Sequence, residues 1–272
     1  NDVLLNKKIP LPRRCSHCNL CEYRSHCLSA WKEADSLDLM GPLGVKAADR
    51  LRSKRIETVH QLSLTYRPRR RRKLSKVDSV PYKPEIHALA LERNSVIVDR
   101  DLNLQVTDGV HGFILDFEGL PDESLYYLCG ILAIGDNVDC EAQFWADDRD
   151  YEAAMLGKCI ERLRAGGDCP IYHFGSYDFK AIRTLGRRYG VQCEDVLHRM
   201  VNVIGLFYGR VYFPVYTHGL KDLASLFGAK WTALEQTSAL AEVNPILWRY
   251  LWEEGENLWK EILLVYNMED CR

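Results

Sequence analysis

Residues 113–130, FILDFEGLPDESLYYLCG, set two carboxylates, Asp116 and Glu118, inside a run that otherwise reads as a buried β-strand. Residues two apart in a strand point to the same face, so the pair projects together. The flanking Phe113, Ile114, Leu115 and Phe117 argue against an exposed edge. Two neighbouring carboxylates repel, and burial raises the cost further unless a divalent cation neutralises them. A fold with an interior strand carrying a metal site satisfies both demands. A pair of solvent-facing strand acids is the alternative.

The pattern around this stretch is rich in strands and then alternates. GFILDFEG and YYLCGILAIG read as adjacent strands joined by a Pro-Asp turn, AQFWA as a third and CPIYHFG as a fourth. A helix over DRDYEAAMLGKCIERLRA separates the third from the fourth, with Tyr151, Met155, Cys159 and Leu163 spaced four apart on one face. Another helix runs through YDFKAIRTLGRRYG. Three strands, a helix, a strand and further helices make an α/β arrangement, and this order resembles the ribonuclease H type, which implies a mixed sheet with flanking helices.

Charge divides the chain. Residues 1–100 carry 21 basic and 11 acidic side chains, whereas 101–272 carry 15 and 27. The basic part suits a polyanionic partner, because phosphates release counterions to Lys and Arg. Clustered carboxylates holding divalent cations account for part of the acidic remainder.

Of ten cysteines, four fall in CSHCNLCEYRSHC: Cys15, Cys18, Cys21 and Cys27. Two C-x-x-C steps and a five-residue gap bring several thiolates within reach of one metal centre, an iron–sulfur cluster or Zn2+ with His17 and His26 as further candidate ligands. The scattered cysteines, such as Cys129, Cys159 and Cys193, read as small buried hydrophobes of a reducing compartment.

After the cysteines, SLDLMGPLGVKAADRLRSKRIETVHQLSLT reads as a helix, a Gly/Pro turn, a basic helix and another short helix. It resembles a helix-hairpin-helix element, with Gly44 and Lys46 placed for phosphate contact at a helix N-terminus. The family's two hairpin glycines are separated by one residue, whereas Gly41 and Gly44 are separated by two; a small helical packing unit is the alternative. RPRRRRK follows, including Arg69, Arg70, Arg71 and Arg72, as a solvated linker able to contact phosphates. The expected division is 1–28 (cysteine segment), 29–66 (hairpin module), 67–108 (basic linker and bridging strand) and 109–272 (the α/β domain).

Two further acidic positions complete a signature. Asp178, in YHFGSYDFKAI, lies just past a strand where a helix begins, and Tyr266 and Asp270, in LLVYNMEDCR, lie four apart on one helical face. Asp-x-Glu, a later Asp and Tyr-x-x-x-Asp resemble the DEDD exonucleases of the DnaQ-like group, in the tyrosine variant. The order of cysteine cluster, hairpin and this domain is similar to that in RecB-like nuclease proteins. There C-x2-C-x5-C, matched by Cys18, Cys21 and Cys27, supplies three ligands of a 4Fe-4S cluster. The fourth lies upstream in those proteins; here it would fall outside this sequence, or Cys15 would take its place.

The resemblance implies a 3′-to-5′ exonuclease using two Mg2+ or Mn2+ ions on Asp116, Glu118, Asp178 and Asp270, with Tyr266 orienting the attacking water. It also implies a nucleic-acid substrate, DNA before RNA, and companion domains: a RecB-like nuclease core and, in some relatives, a superfamily 1 helicase. His173 and Lys221 are candidate phosphate contacts, against a satisfied core histidine and a solvated lysine. Trp248, Trp252 and Trp259, with Tyr250, fit a buried helix stripe better than a base-stacking surface. A nucleic-acid-binding or scaffold module with a vestigial DEDD site is the competing function.

No apolar run reaches the roughly 18 residues of a membrane span, and no signal-peptide pattern opens the sequence, so the expectation is a cytoplasmic location without membrane contact. The sequence opens without Met and stops inside a helical pattern, as a piece of a longer protein would.

Overall fold

The structure is a computed structural model that describes residues 11–19, 21, 23–67, 81–99, 111–135, 140–233 and 245–272. The expected contacts Arg69, Arg70, Arg71 and Arg72 lie outside them. Two compact units are formed, one by Asn1–Leu102 with Phe207–Phe227 and the other by Asn103–Leu206 with Gly228–Arg272.

The first unit begins with helices α1 (Arg24–Glu33), α2 (Val45–Arg52), α3 (Val59–Ser63) and α4 (Pro84–Arg93), followed by strand β1 (Ile97–Val98). Thr58 starts α3 through a capping box: its side chain accepts from the Gln61 N–H, and the Gln61 side chain accepts from the Thr58 N–H. Leu37, Met40, Leu43, Ala48, Val59, Leu62 and Ala88 form the core of this unit. Asp38 is buried among them, held by Ser36 and Arg52.

Two features depart from the expected division. The bridge into the α/β domain contains α4, because Pro84 stands at the start of that helix, where a missing N–H costs nothing. The segment 207–227 belongs to the first unit rather than running on with the rest of 109–272. Its strand β7 (Val211–Tyr212) pairs antiparallel with β1, the Gly41 N–H donates to the Tyr216 carbonyl (2.8 Å), and His87 Nε2 donates to the Val215 carbonyl (2.6 Å).

The second unit is α/β. Strands β2 (Gly112–Leu120), β3 (Leu125–Ile134), β4 (Cys140–Trp145), β5 (Ile171–His173) and β6 (Met200–Asn202) form a mixed sheet in the order β4-β3-β2-β5-β6. The pairs β2–β3 and β3–β4 are antiparallel, and β2–β5 and β5–β6 are parallel. The acid-bearing strand β2 is therefore central, as its apolar neighbours demand.

Its two faces divide the labour. Phe113, Leu115 and Phe117 point into the main core with Cys129 and Ile131 of β3, against Met155, Cys159 and Leu163 of α5 (Glu152–Arg164) and Ile182 and Leu185 of α6 (Tyr177–Tyr189). Helices α7 (Glu194–Arg199) and α8 (Val203–Phe207) flank β6, and α9 (Leu220–Ser225) follows β7. The opposite face of β2 meets α11 (Leu258–Cys271), where Met268 and Cys271 pack on Ile114 and Leu132; α10 (Pro245–Glu253) precedes it.

Glu152, fully buried at the start of α5, accepts from the Tyr126 N–H (2.7 Å), Arg188 Nη1 and the Tyr189 hydroxyl, tying strand β3 to two helices. Replacing Glu152 by Ala leaves the Tyr126 N–H and Arg188 Nη1 without this acceptor, while the Tyr189 hydroxyl keeps the Arg149 carbonyl and Arg188 Nη2 the Ser124 carbonyl. The expected loss is about 3 kcal/mol of stability, the cost of breaking a buried pair from one side. A urea unfolding midpoint close to that of the wild type would contradict it.

Candidate metal centre

Strand β2 places its acids by period and by a break in period. Asp116 faces Gly130 across the β2–β3 ladder and Glu118 faces Leu128, both on the side away from the main core. The ladder slips between Glu118 and Gly119, leaving Tyr127 as an extra residue on β3. Such a bulge bends the strand and re-aims side chains. No side chain would fit at Gly119: a Cβ would lie 2.5 Å from both the Leu125 carbonyl oxygen and the Tyr177 hydroxyl.

Asp178 sits in the first turn of α6 and is buried. Parallel pairing of β2 with β5 ends at Ile114, so the Phe117 N–H lies beyond it and donates instead to Asp178 Oδ1 (2.9 Å). His173, on β5, is buried with Nδ1 3.8 Å from Asp178 Oδ2 and no hydrogen-bond partner for that nitrogen among the described residues. Burial lowers its pKa, which keeps the ring neutral.

Helix α11 supplies the remaining groups within two turns. Asp270 accepts from Trp231 Nε1 (2.7 Å), and its neighbour Glu269 accepts from the backbone N–H groups of Thr232 (2.8 Å) and Ala233 (3.2 Å). Tyr266, one turn earlier, is buried with its ring edge-on to Trp248, centroids 5.4 Å apart. Asn267 Nδ2 donates to Asp116 Oδ2 at 2.7 Å.

Carboxylate oxygens of Asp116, Glu118 and Asp270 lie within 4.8 Å of one another. Burial first, then the charges of Glu118, Asp178 and Asp270, push the Asp116 pKa well above the usual carboxylate range. Asp178 is pushed up to about 7, again mainly by burial, with Asp270 adding to it and the backbone donors opposing it. Burial first, then the charges of Asp270, Glu118 and Asp116, raise the Tyr266 hydroxyl, so it stays a phenol at neutral pH. This donor set fits hard divalent cations: clustered oxygens that resist ionising together are what a bound positive charge relieves.

Other expected positions lie apart from this cluster. Cys15 is exposed and Cys18, Cys21 and Cys27 are half-buried; the Cys15 and Cys18 sulfurs are 3.8 Å apart, but no three of these thiols approach one another as closely as the carboxylates do. Gly44 takes φ +61° before α2, with nothing within 4 Å of where a Cβ would be, and Lys46 is exposed. Lys221 is on α9 in the first unit. Trp248 is buried and stacks on Trp259, while Trp252 covers the Arg249 guanidinium, 4.2 Å from ring centroid to Cζ, and Tyr250 is exposed.

Asn267, Gly130, Gln143 and Trp231 escape a reading of the sequence. Asn267 had one available signal: it is the polar residue three before Asp270 in an otherwise apolar turn.

Among the described residues no helix is long and apolar enough to cross a membrane. No curated protein and no solved structure matches the chain. Residues 113–272 match the family model of the RNase H superfamily, a span that starts on β2 and ends with α11 and so contains all four acids and Tyr266. With more than half of its length inside that match and a mixed five-stranded sheet bearing clustered carboxylates on its central strand, the chain belongs to the RNase H superfamily.

Proposed function

We propose that the chain is a metal-dependent nuclease that removes nucleotides from the 3′ end of a nucleic acid, DNA before RNA. The observation that carries this reading is the approach of Asp116, Glu118 and Asp270 to within 4.8 Å beside the buried Asp178. Asp116, Glu118, Asp178 and Asp270 hold two ions of the Mg2+ or Mn2+ kind. Bound there, such ions supply charge neutralisation and Lewis-acid assistance to phosphodiester hydrolysis. Tyr266, kept protonated by its surroundings, orients the attacking water through its hydroxyl. His173, neutral and buried beside Asp178, has an unused Nδ1 lone pair or N–H for the scissile phosphate or its water.

The first unit supports substrate engagement in this reading. Gly44, Lys46 and the basic run around Arg69–Arg72 contact backbone phosphates, as does Lys221. Cys15, Cys18, Cys21 and Cys27 bind a 4Fe-4S cluster or Zn2+; the 3.8 Å between the first two sulfurs equals the edge expected of thiolates about 2.3 Å from one tetrahedral zinc. Iron and zinc content of the purified chain decides between them. The similarity to RecB-like nuclease proteins adds a nuclease core, and in some a helicase, as further domains of the same protein.

Cleavage of 5′-labelled and 3′-labelled single-stranded DNA and RNA in Mn2+, Mg2+ or EDTA tests the function. Metal-dependent shortening from the 3′ end is the expected result. Cutting at internal positions would overturn the exonuclease reading, shortening from the 5′ end would overturn its polarity, and no cutting by a folded, metal-loaded chain would overturn the nuclease.

A further inference from the structure

We infer that Asn267 is a positioning residue that sets the Asp116 carboxylate for cation binding, and that Gly130 exists to admit it. The inference rests on the metal reading of the four acids.

The orientation of the Asn267 amide follows from its neighbours. Gln143 Nε2, a donor, faces Asn267 Oδ1 at 3.2 Å and also donates to the Leu264 carbonyl at 2.7 Å. Oδ1 must therefore point towards Gln143, which turns Nδ2 to Asp116. That nitrogen donates to Asp116 Oδ2 (2.7 Å) and lies 3.2 Å from the Asp116 carbonyl oxygen. Strand and helix, 151 positions apart in sequence, are joined at a carboxylate whose oxygens share a 4.8 Å cluster with those of Glu118 and Asp270.

The chemistry of the donor matters. A Lys or Arg here would fix Asp116 equally well but would compete with a metal ion for its charge. An amide occupies one lone pair of Oδ2, leaves the carboxylate its full negative charge and keeps Oδ1 free to ligate.

Gly130 shows what this contact requires. It stands directly opposite Asp116 on β3, and its φ is outside the left-handed region, so backbone conformation does not call for glycine. Space does: a Cβ would lie 2.1 Å from Asn267 Oδ1 and 2.9 Å from its Cγ. Any side chain at 130 displaces the amide.

Mn2+ titration by calorimetry on the full chain tests this with four proteins: wild type, Asn267→Ala, Gly130→Ala and the double variant. Each single substitution is expected to weaken Mn2+ binding by about 10- to 100-fold, the usual consequence of losing a partner that orients a ligand. In the double variant the added methyl has no amide to displace, so its loss is expected to match that of Asn267→Ala alone. A merely structural role would lower the melting temperature without moving Mn2+ affinity. Wild-type binding with Asn267→Ala within twofold of it would overturn the inference and leave the metal reading standing. Additive losses in the double variant would overturn the link to Gly130. Absence of binding by the wild type would overturn the metal reading itself. If Asn267→Ala does not fold, Gln143→Ala, which frees only Oδ1, is expected to weaken Mn2+ binding severalfold, and an unchanged affinity there would overturn the inference.

Discussion

Asp116→Asn is expected to abolish hydrolysis while leaving nucleic-acid binding in place. The substitution keeps the shape of the side chain and the backbone of β2, so the sheet and the main core beneath it are undisturbed. It removes a negative charge that interacts with those of Glu118, Asp178 and Asp270 and replaces one oxygen by a donor. An amide nitrogen cannot ligate a hard cation. Activity should fall by about 10³-fold or more, the upper end of what loss of one preorganised electrostatic group costs. Asp270→Asn, on α11, is expected to behave alike because its oxygens complete the same cluster. Binding is expected to persist, since phosphate contacts made elsewhere do not depend on this carboxylate. Retained cleavage by the pure double variant would refute the site.

The second large effect concerns stability without metal. Asp178 has its pKa pushed up to about 7 in the fold, from an ordinary 3.8. Between those values the folded chain holds a proton that the unfolded chain has released. The contribution of this group is therefore fully present below about pH 4 and is lost as pH rises through about 7. A displacement of that size corresponds to on the order of 4 kcal/mol. Asp116, raised in the same direction, adds to the loss. In EDTA at pH 8, Asp178→Asn is accordingly expected to melt higher than the wild type, with the difference shrinking towards pH 5. Divalent cations should stabilise the wild type more at pH 8 than at pH 5, and the variant little at either. The comparison cancels titration of His87 and His218, whose pKa values burial lowers. Equal melting temperatures at pH 8 would sink this account. On this account the carboxylates would trade stability of the metal-free protein for affinity towards a cation.

What could be read from the sequence was local in origin. The side-by-side projection of Asp116 and Glu118 follows from a period of two, the central place of β2 from its unbroken apolar flanks, and the shared face of Tyr266 and Asp270 from a spacing of four. Asp178 was marked by a strand running into a helix. The partners that hold these groups are not local. Asn267 meets Asp116 only because α11 crosses the even face of β2, Trp231 meets Asp270 across 39 positions, and Gly130 reads in sequence as an unremarkable strand glycine. The return of 207–227 to the first unit depends on two residues of β1 finding two of β7, a pairing too short for any periodicity to announce.

The contact between Asp116 and α11 also has a kinetic meaning. Closure over 151 residues is expected to come late in folding, with the acidic cluster complete only once α11 has docked. A divalent cation then has little to bind in the folding transition state. Its stabilisation is expected to appear almost wholly as slower unfolding, with the refolding arm of a chevron plot unmoved. Loaded protein would therefore resist proteases for longer without having been made any faster.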